Sequence, residues 1–221
     1  MTERYIKEKN IREFFTMLNE ENIQYALIKN IAAELPSNLK DGKDIDIIVK
    51  LEDRERFALA MVGHGWLYRV PPLGRVGEWN FAYKLPEYQF WQLSGIAERF
   101  YVDACFKLMC KSLTPKTWVP LNVPLQEKAW AEREWNEELQ CWQLGEKTLF
   151  VYLFLRCVFD KRAFSDAYIA EIEKRKNLID DGEVKALLES EFFKFTDTLI
   201  ALAENREYGA IVDRYITFQN Y

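Results

Sequence analysis

The sequence predicts an α+β protein: a mixed sheet flanked by helices over residues 1–112, then a connector and a mostly helical C-terminal domain over residues 113–221. Three patterns lead there. In the first third, stretches of helical periodicity alternate with short apolar runs of strand length. Between Trp66 and Leu108 the pattern turns to β, with YRVPP, NFAYKL, YQFWQLS and RFYVDACFKL separated by Pro, Gly and charged turns. From Leu144 onward, apolar residues recur at spacings of three and four, as in a helical bundle.

Taken in order, Glu3 to Asn22 reads as an amphipathic helix, with Ile6, Ile11, Phe14, Phe15 and Leu18 near helical spacing. YALIK, Tyr25 to Lys29, is a short buried strand. A brief helical turn follows around Ile31 to Leu35, stopped by Pro36 and the polar SNLKDGK. DIDIIVK is the next strand. DRERFALAMVGHGW is a helix, with Asp53 as its N-cap and its end at the glycines around His64. After the β region, Cys110 to Leu144 reads as an irregular connector rich in Trp and Pro. Four helical segments close the chain: LGEKTLFVYLFLRCVFDKR, SDAYIAEIEKRKNLI, DGEVKALLESEFFKFTDTLIALAEN and EYGAIVDRYITFQNY.

Composition narrows the function classes. A chain of 221 residues with 49% hydrophobic residues can fill a core of its own. A net charge of −5 argues against general nucleic-acid binding, which needs a positive excess on the docking face. No run of about 18 apolar residues occurs, and MTERYIKEKNIREFF is charged rather than signal-like, so no membrane span and a cytoplasmic location are expected. Cys105, Cys110, Cys141 and Cys157 form no CxxC pair and are expected as buried free thiols. The seven tryptophans read mainly as packing residues.

The chemistry is concentrated in LKDGKDIDIIVK. Alternate side chains of a strand share a face, so Asp44 and Asp46 look one way while Ile45 and Ile47 look the other. Two like charges held side by side cost energy unless a positive group sits between them, and a divalent cation with oxygen ligands is the usual answer. A solvated strand end or a helix-capping role is the competing reading, with Asp46 as a structural residue that caps a backbone or pairs with Lys43 or Lys29. Asp103 in YVDACF offers a further carboxylate, with a solvent-facing position on an alternating strand as its alternative.

YALIKN, DIDIIV and FYVDACF follow one another in an order and spacing that resembles the nucleotidyltransferases of the DNA polymerase beta superfamily. In that family a first strand ends in a small motif, commonly Gly-Ser, a strand with Asp-x-Asp follows about a dozen residues later, and a later strand adds a third carboxylate. The likeness is nearest to a bacterial branch often associated with polysaccharide loci, whose first motif looks like YALLKG or YxVLRN. It covers residues 20 to 110 or so, and the helical part only by general pattern.

The resemblance implies the nucleotidyltransferase fold and transfer of a nucleoside monophosphate from an NTP to a hydroxyl or phosphate acceptor, a sugar or glycan precursor being its suggestion. It implies Mg2+ or Mn2+ as cofactor, held by Asp44, Asp46 and Asp103, with Asp103 also placed to help remove the acceptor's proton. Lys29 and Asn30 stand where the family has Gly-Ser, which removes the glycine that lets backbone approach phosphates closely. Lys29, Asn30 and Lys43, with Arg156 and Lys161 of FLRCVFDKR, are the nucleotide-binding candidates. For Arg156, Lys161 and Arg162 a basic helix end complementing the helix dipole competes. Arg69 and Arg75 could reach a substrate phosphate from a loop, with solvated loop positions as the favoured reading, and His64 reads as a turn residue without a role. Two readings from other classes stay open: a catalytically silent module of this fold in surface-polysaccharide production, favoured by the Lys29-Asn30 departure, and an antitoxin-like partner protein.

Overall fold

The computed structural model describes residues 4–69, 87–92, 100–111 and 118–219. The chain forms two compact units, one of Met1–Leu108 with Arg133–Leu144 and one of Met109–Glu132 with Gly145–Tyr221. The first unit thus ends at Leu108 rather than at residue 112, and a later piece of chain returns to it.

In the first unit, α1 (Glu8–Glu20) is followed by β1 (Tyr25–Leu27), β2 (Asp44–Val49), α2 (Arg54–Gly63), β3 (Trp66–Arg69), β4 (Glu87–Gln92), β5 (Tyr101–Cys105), β8 (Glu134–Asn136) and β9 (Cys141–Gln143). Their sheet runs in the order β3-β4-β5-β2-β1-β9-β8. It is mixed as expected: β2 is parallel to β5 and β1 to β9, while β1 with β2, β3 with β4, β4 with β5, and β8 with β9 are antiparallel. One face of β2 and β5 is apolar. Ile45, Ile47, Val49, Val102 and Ala104 enter a core shared with Phe14, Phe15 and Leu18 of α1 and Phe57 and Met61 of α2. Aromatic rings dominate it, with Trp66 and Phe100 in edge contact at 5.0 Å and Phe15 stacked on Tyr25 at 6.1 Å.

Several local expectations need correction. The first helix starts at Glu8, not Glu3, because the preceding chain pairs with the turn before β2: Tyr5 bridges Lys40 and the Ile6 N–H donates to the Leu39 carbonyl at 2.8 Å. Asp53 stands before α2 but caps nothing with its side chain. Its carboxylate instead accepts the Gln24 backbone N–H at 2.7 Å and the Arg56 guanidinium at 2.6 Å, tying the helix start to the start of β1. The stretch from Cys110 to Leu144 is not an irregular connector. It holds a small antiparallel pair, a helix, and the β8–β9 hairpin, in which Trp135 and Trp142 face each other at 5.4 Å and Arg133 lies 4.5 Å over the Trp142 ring. The strand expected at NFAYKL lies outside the described residues.

The second unit comprises β6 (Met109–Lys111), β7 (Trp118–Pro120), α3 (Val123–Ala131), α4 (Glu146–Leu155), α5 (Asp166–Glu173), α6 (Gly182–Phe192), α7 (Thr196–Glu204) and α8 (Tyr208–Gln219). It is mostly helical, as the spacing predicts. α4 is apolar all round, and Phe150, Val151, Leu153, Phe154 and Leu155 are each wholly buried, which makes it the central helix of the unit. It passes into a turn of π-helix at Arg156–Lys161. The long helix expected from Gly182 to Asn205 is broken at Phe193, whose backbone turns to φ 51° and ψ −131°. Phe159, Phe192, Phe195 and Tyr215 gather around that break with ring centroids 5.1–5.7 Å apart. Cys110, Cys141 and Cys157 are buried free thiols and Cys105 is half-buried. Among the described residues, no helix is long and apolar enough to cross a membrane.

Candidate active site

The carboxylates of the site are positioned by two neighbouring parallel strands. Asp46 of β2 and Asp103 of β5 are direct register partners, and Asp44 lies two residues before Asp46 on the same face. The opposite face of both strands is buried in the core, so a one-residue slip would drive the aspartates inward, and burial fixes the register. Oxygens of Asp44, Asp46 and Asp103 all come within 4.8 Å of one another. Asp44 is exposed, and Asp46 and Asp103 are half-buried. The turn that leads into Asp44 at the start of β2 uses Gly42 at φ 84°, a conformation glycine adopts without a steric penalty.

Lys29 meets this cluster directly. Its ammonium forms an ion pair with the Asp46 carboxylate, and the two side chains are only 13% and 23% exposed. The approach is set by backbone bonds on both sides of β1: the Ile28 N–H donates to the Asp46 carbonyl at 3.0 Å, and the Leu144 N–H donates to the Leu27 carbonyl at 3.0 Å. Asn30 turns away to a local task. Its amide nitrogen donates to the Leu35 carbonyl at 3.3 Å and its oxygen accepts the Leu35 N–H at 2.9 Å, which spans the turn after β1. Within that turn Ala32 and Ala33 both take positive φ, 55° and 51°.

The other candidates are distributed differently. Lys43 is exposed in the residue before β2. Arg156 and Lys161 belong to the second unit. Arg156 pairs with the deeply buried Asp160, which also accepts the Lys111 N–H at 2.6 Å. Asp160 was not singled out by the sequence, although its position four residues after Arg156 in a helical segment is the local signal for such a pair. Lys161 is exposed. His64 lies in the turn after α2, with its ring 3.3 Å from Glu21. Arg75 lies outside the described residues.

Three carboxylates converging from adjacent strands are hard oxygen donors of the kind that Mg2+ and Mn2+ take, so the donor set fits a divalent cation. No protein-family model matches the chain, and no curated protein does. Among solved structures the chain is similar to the solution structure of the antibiotic-resistance factor ANT(2'')-Ia, with a TM-score of 0.48 and 11% identity over 90% of this chain and 96% of that one.

Proposed function

We propose that the protein transfers a nucleoside monophosphate from an NTP to a hydroxyl or phosphate acceptor, the acceptor oxygen bonding to the α-phosphorus as the α–β bond breaks and pyrophosphate leaves, using a divalent cation held by Asp44, Asp46 and Asp103. The observation that carries the reading is the convergence of these three carboxylates within 4.8 Å from two strands in parallel register. A divalent cation bound there supplies charge neutralisation of the triphosphate and activation of the attacking oxygen. The protein's own groups do the rest. Asp103 is proposed to accept the proton of the acceptor hydroxyl, as a carboxylate beside the reacting oxygen can. Exposed Lys43 is proposed to meet a phosphate oxygen as a point charge. The sequence resemblance suggests a sugar or glycan precursor as acceptor.

A screen of the four NTPs with Mg2+ or Mn2+ tests the reading on the wild type and Asp46→Asn. The expected result is turnover in the wild type that falls by about two or more orders of magnitude in the variant, whose fold keeps the same strand pattern. Calorimetry should also show Mg·NTP bound in preference to NMP, because charge contacts accumulate along the phosphate tail. Wild-type protein whose melting point ignores every metal and nucleotide would sink it.

A second reading has its own observation. Asn30 spends both polar atoms on Leu35, and Lys29 rests on Asp46, so the two residues in the Gly-Ser position already have partners in the protein. That arrangement suits a binding module without catalysis, for which nucleotide would bind without turnover and Asp46→Asn would leave binding nearly intact.

A further inference from the structure

On the helix side of the sheet, opposite the aspartates, the first unit has a cleft of about 320 Å3 between α1 and the turn that joins α2 to β3. Its floor is apolar. Phe14, Met17 and Trp66 line it at 2–4% exposure, and the Phe14 and Trp66 rings lie 5.4 Å apart. Its wall along α1 is acidic, because Glu13 and Glu20 both line the cleft seven positions apart, on one side of the helix. Seven residues of α-helix rise about 10 Å, so the two carboxylates are spaced along the cleft with Phe14 and Met17 between them in the chain. Other charges at the rim are weakly engaged. Glu13 meets Lys9 at 3.5 Å, in a pair whose side chains are 62% and 79% exposed and so screened by water. His64 on the facing wall contacts Glu21 at 3.3 Å. Among the described residues, the Glu20 carboxylate has no ion-pair partner.

A cavity of this size takes a small molecule, and its lining selects the chemistry: cationic ends for two spaced carboxylates, and an apolar middle for the floor. We propose that the cleft binds a linear aliphatic polyamine, with one ammonium group at Glu13, another at Glu20, and the methylene chain over Phe14, Met17 and Trp66. An anion is repelled by the same two carboxylates. A bare divalent ion holds its oxygen ligands at about 2.0–2.6 Å, so it cannot bridge acids two helical turns apart. The site lies apart from Asp44, Asp46 and Asp103, and it stands or falls without the nucleotidyl-transfer reading.

Spermidine is the probe, titrated into the full chain in a calorimeter at low ionic strength, where charge contacts are least screened. One spermidine per chain is expected, with diaminopropane, too short to reach both carboxylates, bound more weakly. Glu13→Gln and Glu20→Gln should each weaken spermidine by about threefold to fivefold, as loss of one ion pair near the surface does. Together they should weaken it by about tenfold or more. Two further variants separate the cleft from other acids of the chain. Exposed Glu204→Gln makes the same charge change in the helical unit, and Asp44→Asn makes it in the aspartate cluster; both should bind spermidine as the wild type does. Binding lost in Asp44→Asn but kept in the double variant would put the amine at the aspartates and overturn the proposal. Equal weakening in Glu204→Gln would reduce it to general attraction by an acidic chain, and a wild type that takes no spermidine would end it.

Discussion

At the scale of single residues, carboxylates in this chain do two different kinds of work, and their surroundings tell them apart. Asp44, Asp46 and Asp103 are grouped on one sheet face, where their mutual repulsion is useful only if a cation answers it. Asp53 is alone, with its side chain 13% exposed, and its oxygens take the Gln24 N–H and the Arg56 guanidinium. Asp53→Ala is therefore expected to cost about 1–3 kcal/mol, since it strands a partly buried backbone donor. Asp53→Asn retains an acceptor and should lose less. Chemical denaturation of both variants checks the order, and equal stability of wild type and Asp53→Ala would remove the role. The sequence carried two of the three clustered carboxylates plainly: two acids at a spacing of two in an apolar run can only share a face. Asp103 was legible only through the resemblance, because nothing local in YVDACF says which strand becomes its neighbour. The Asp53 role was hidden for the same reason, its partner Gln24 lying far away in sequence and reached only when β1 and α2 pack.

Among elements, those with long, strongly periodic patterns were readable and those fixed by tertiary contact were not. α1 and α8 announce themselves by spacing, and β2 by alternation. The β8–β9 hairpin did not, because three-residue strands have no period to detect and its order comes from Trp135 against Trp142 and Arg133 on the Tyr25 carbonyl at 3.1 Å. The break between α6 and α7 is similar. Every residue from Glu183 to Glu204 suits a helix, yet Phe192, Phe195 and Tyr215 pack together only if the chain turns at Phe193. That turn puts a bulky residue at φ 51° and ψ −131°, a region nearly confined to glycine, while its ring stays 66% exposed and contributes little burial. Phe193→Gly should relieve about 1–3 kcal/mol of backbone strain against about 0.5–1 kcal/mol of added unfolded-state entropy, a net stabilisation. A raised melting temperature with unchanged helix content is the expected result. A lowered one would mean that the exposed ring does more than the backbone geometry shows.

At the scale of the whole molecule, the chain gives each unit its own polar economy as well as its own core, and in the helical unit this takes the form of carboxylates held low by cations and hydroxyls. The Tyr208 hydroxyl, on a residue 3% exposed, donates to Glu173 at 2.6 Å and, with Arg206 and Lys176 nearby, holds that carboxyl below its ordinary value. Lys147 does the same for Asp181, and Lys128 with Lys147 for Glu183. Burial opposes the effect at Glu171, where Lys174 and Arg175 still bring the net direction down. A carboxyl whose folded pKa is depressed contributes stability above its unfolded pKa and loses it as pH falls through the folded value. Asp160 and Glu191 are raised by burial and act in the opposite sense, losing stability as pH rises through their folded values. A difference between two proteins removes these other groups from the comparison. Tyr208→Phe keeps the buried ring but deletes the donor, so at pH 7 it should lower stability by about 1–2 kcal/mol, as loss of a hydrogen bond to a charged acceptor does. As pH falls below the ordinary glutamate value, Glu173 protonates in both proteins and the gap should close, the wild type losing the stability that the variant never had. Denaturation curves of the two proteins at intervals from pH 7 to about pH 3 measure it. A gap that stays constant across that range would show that Tyr208 stabilises the unit by packing alone.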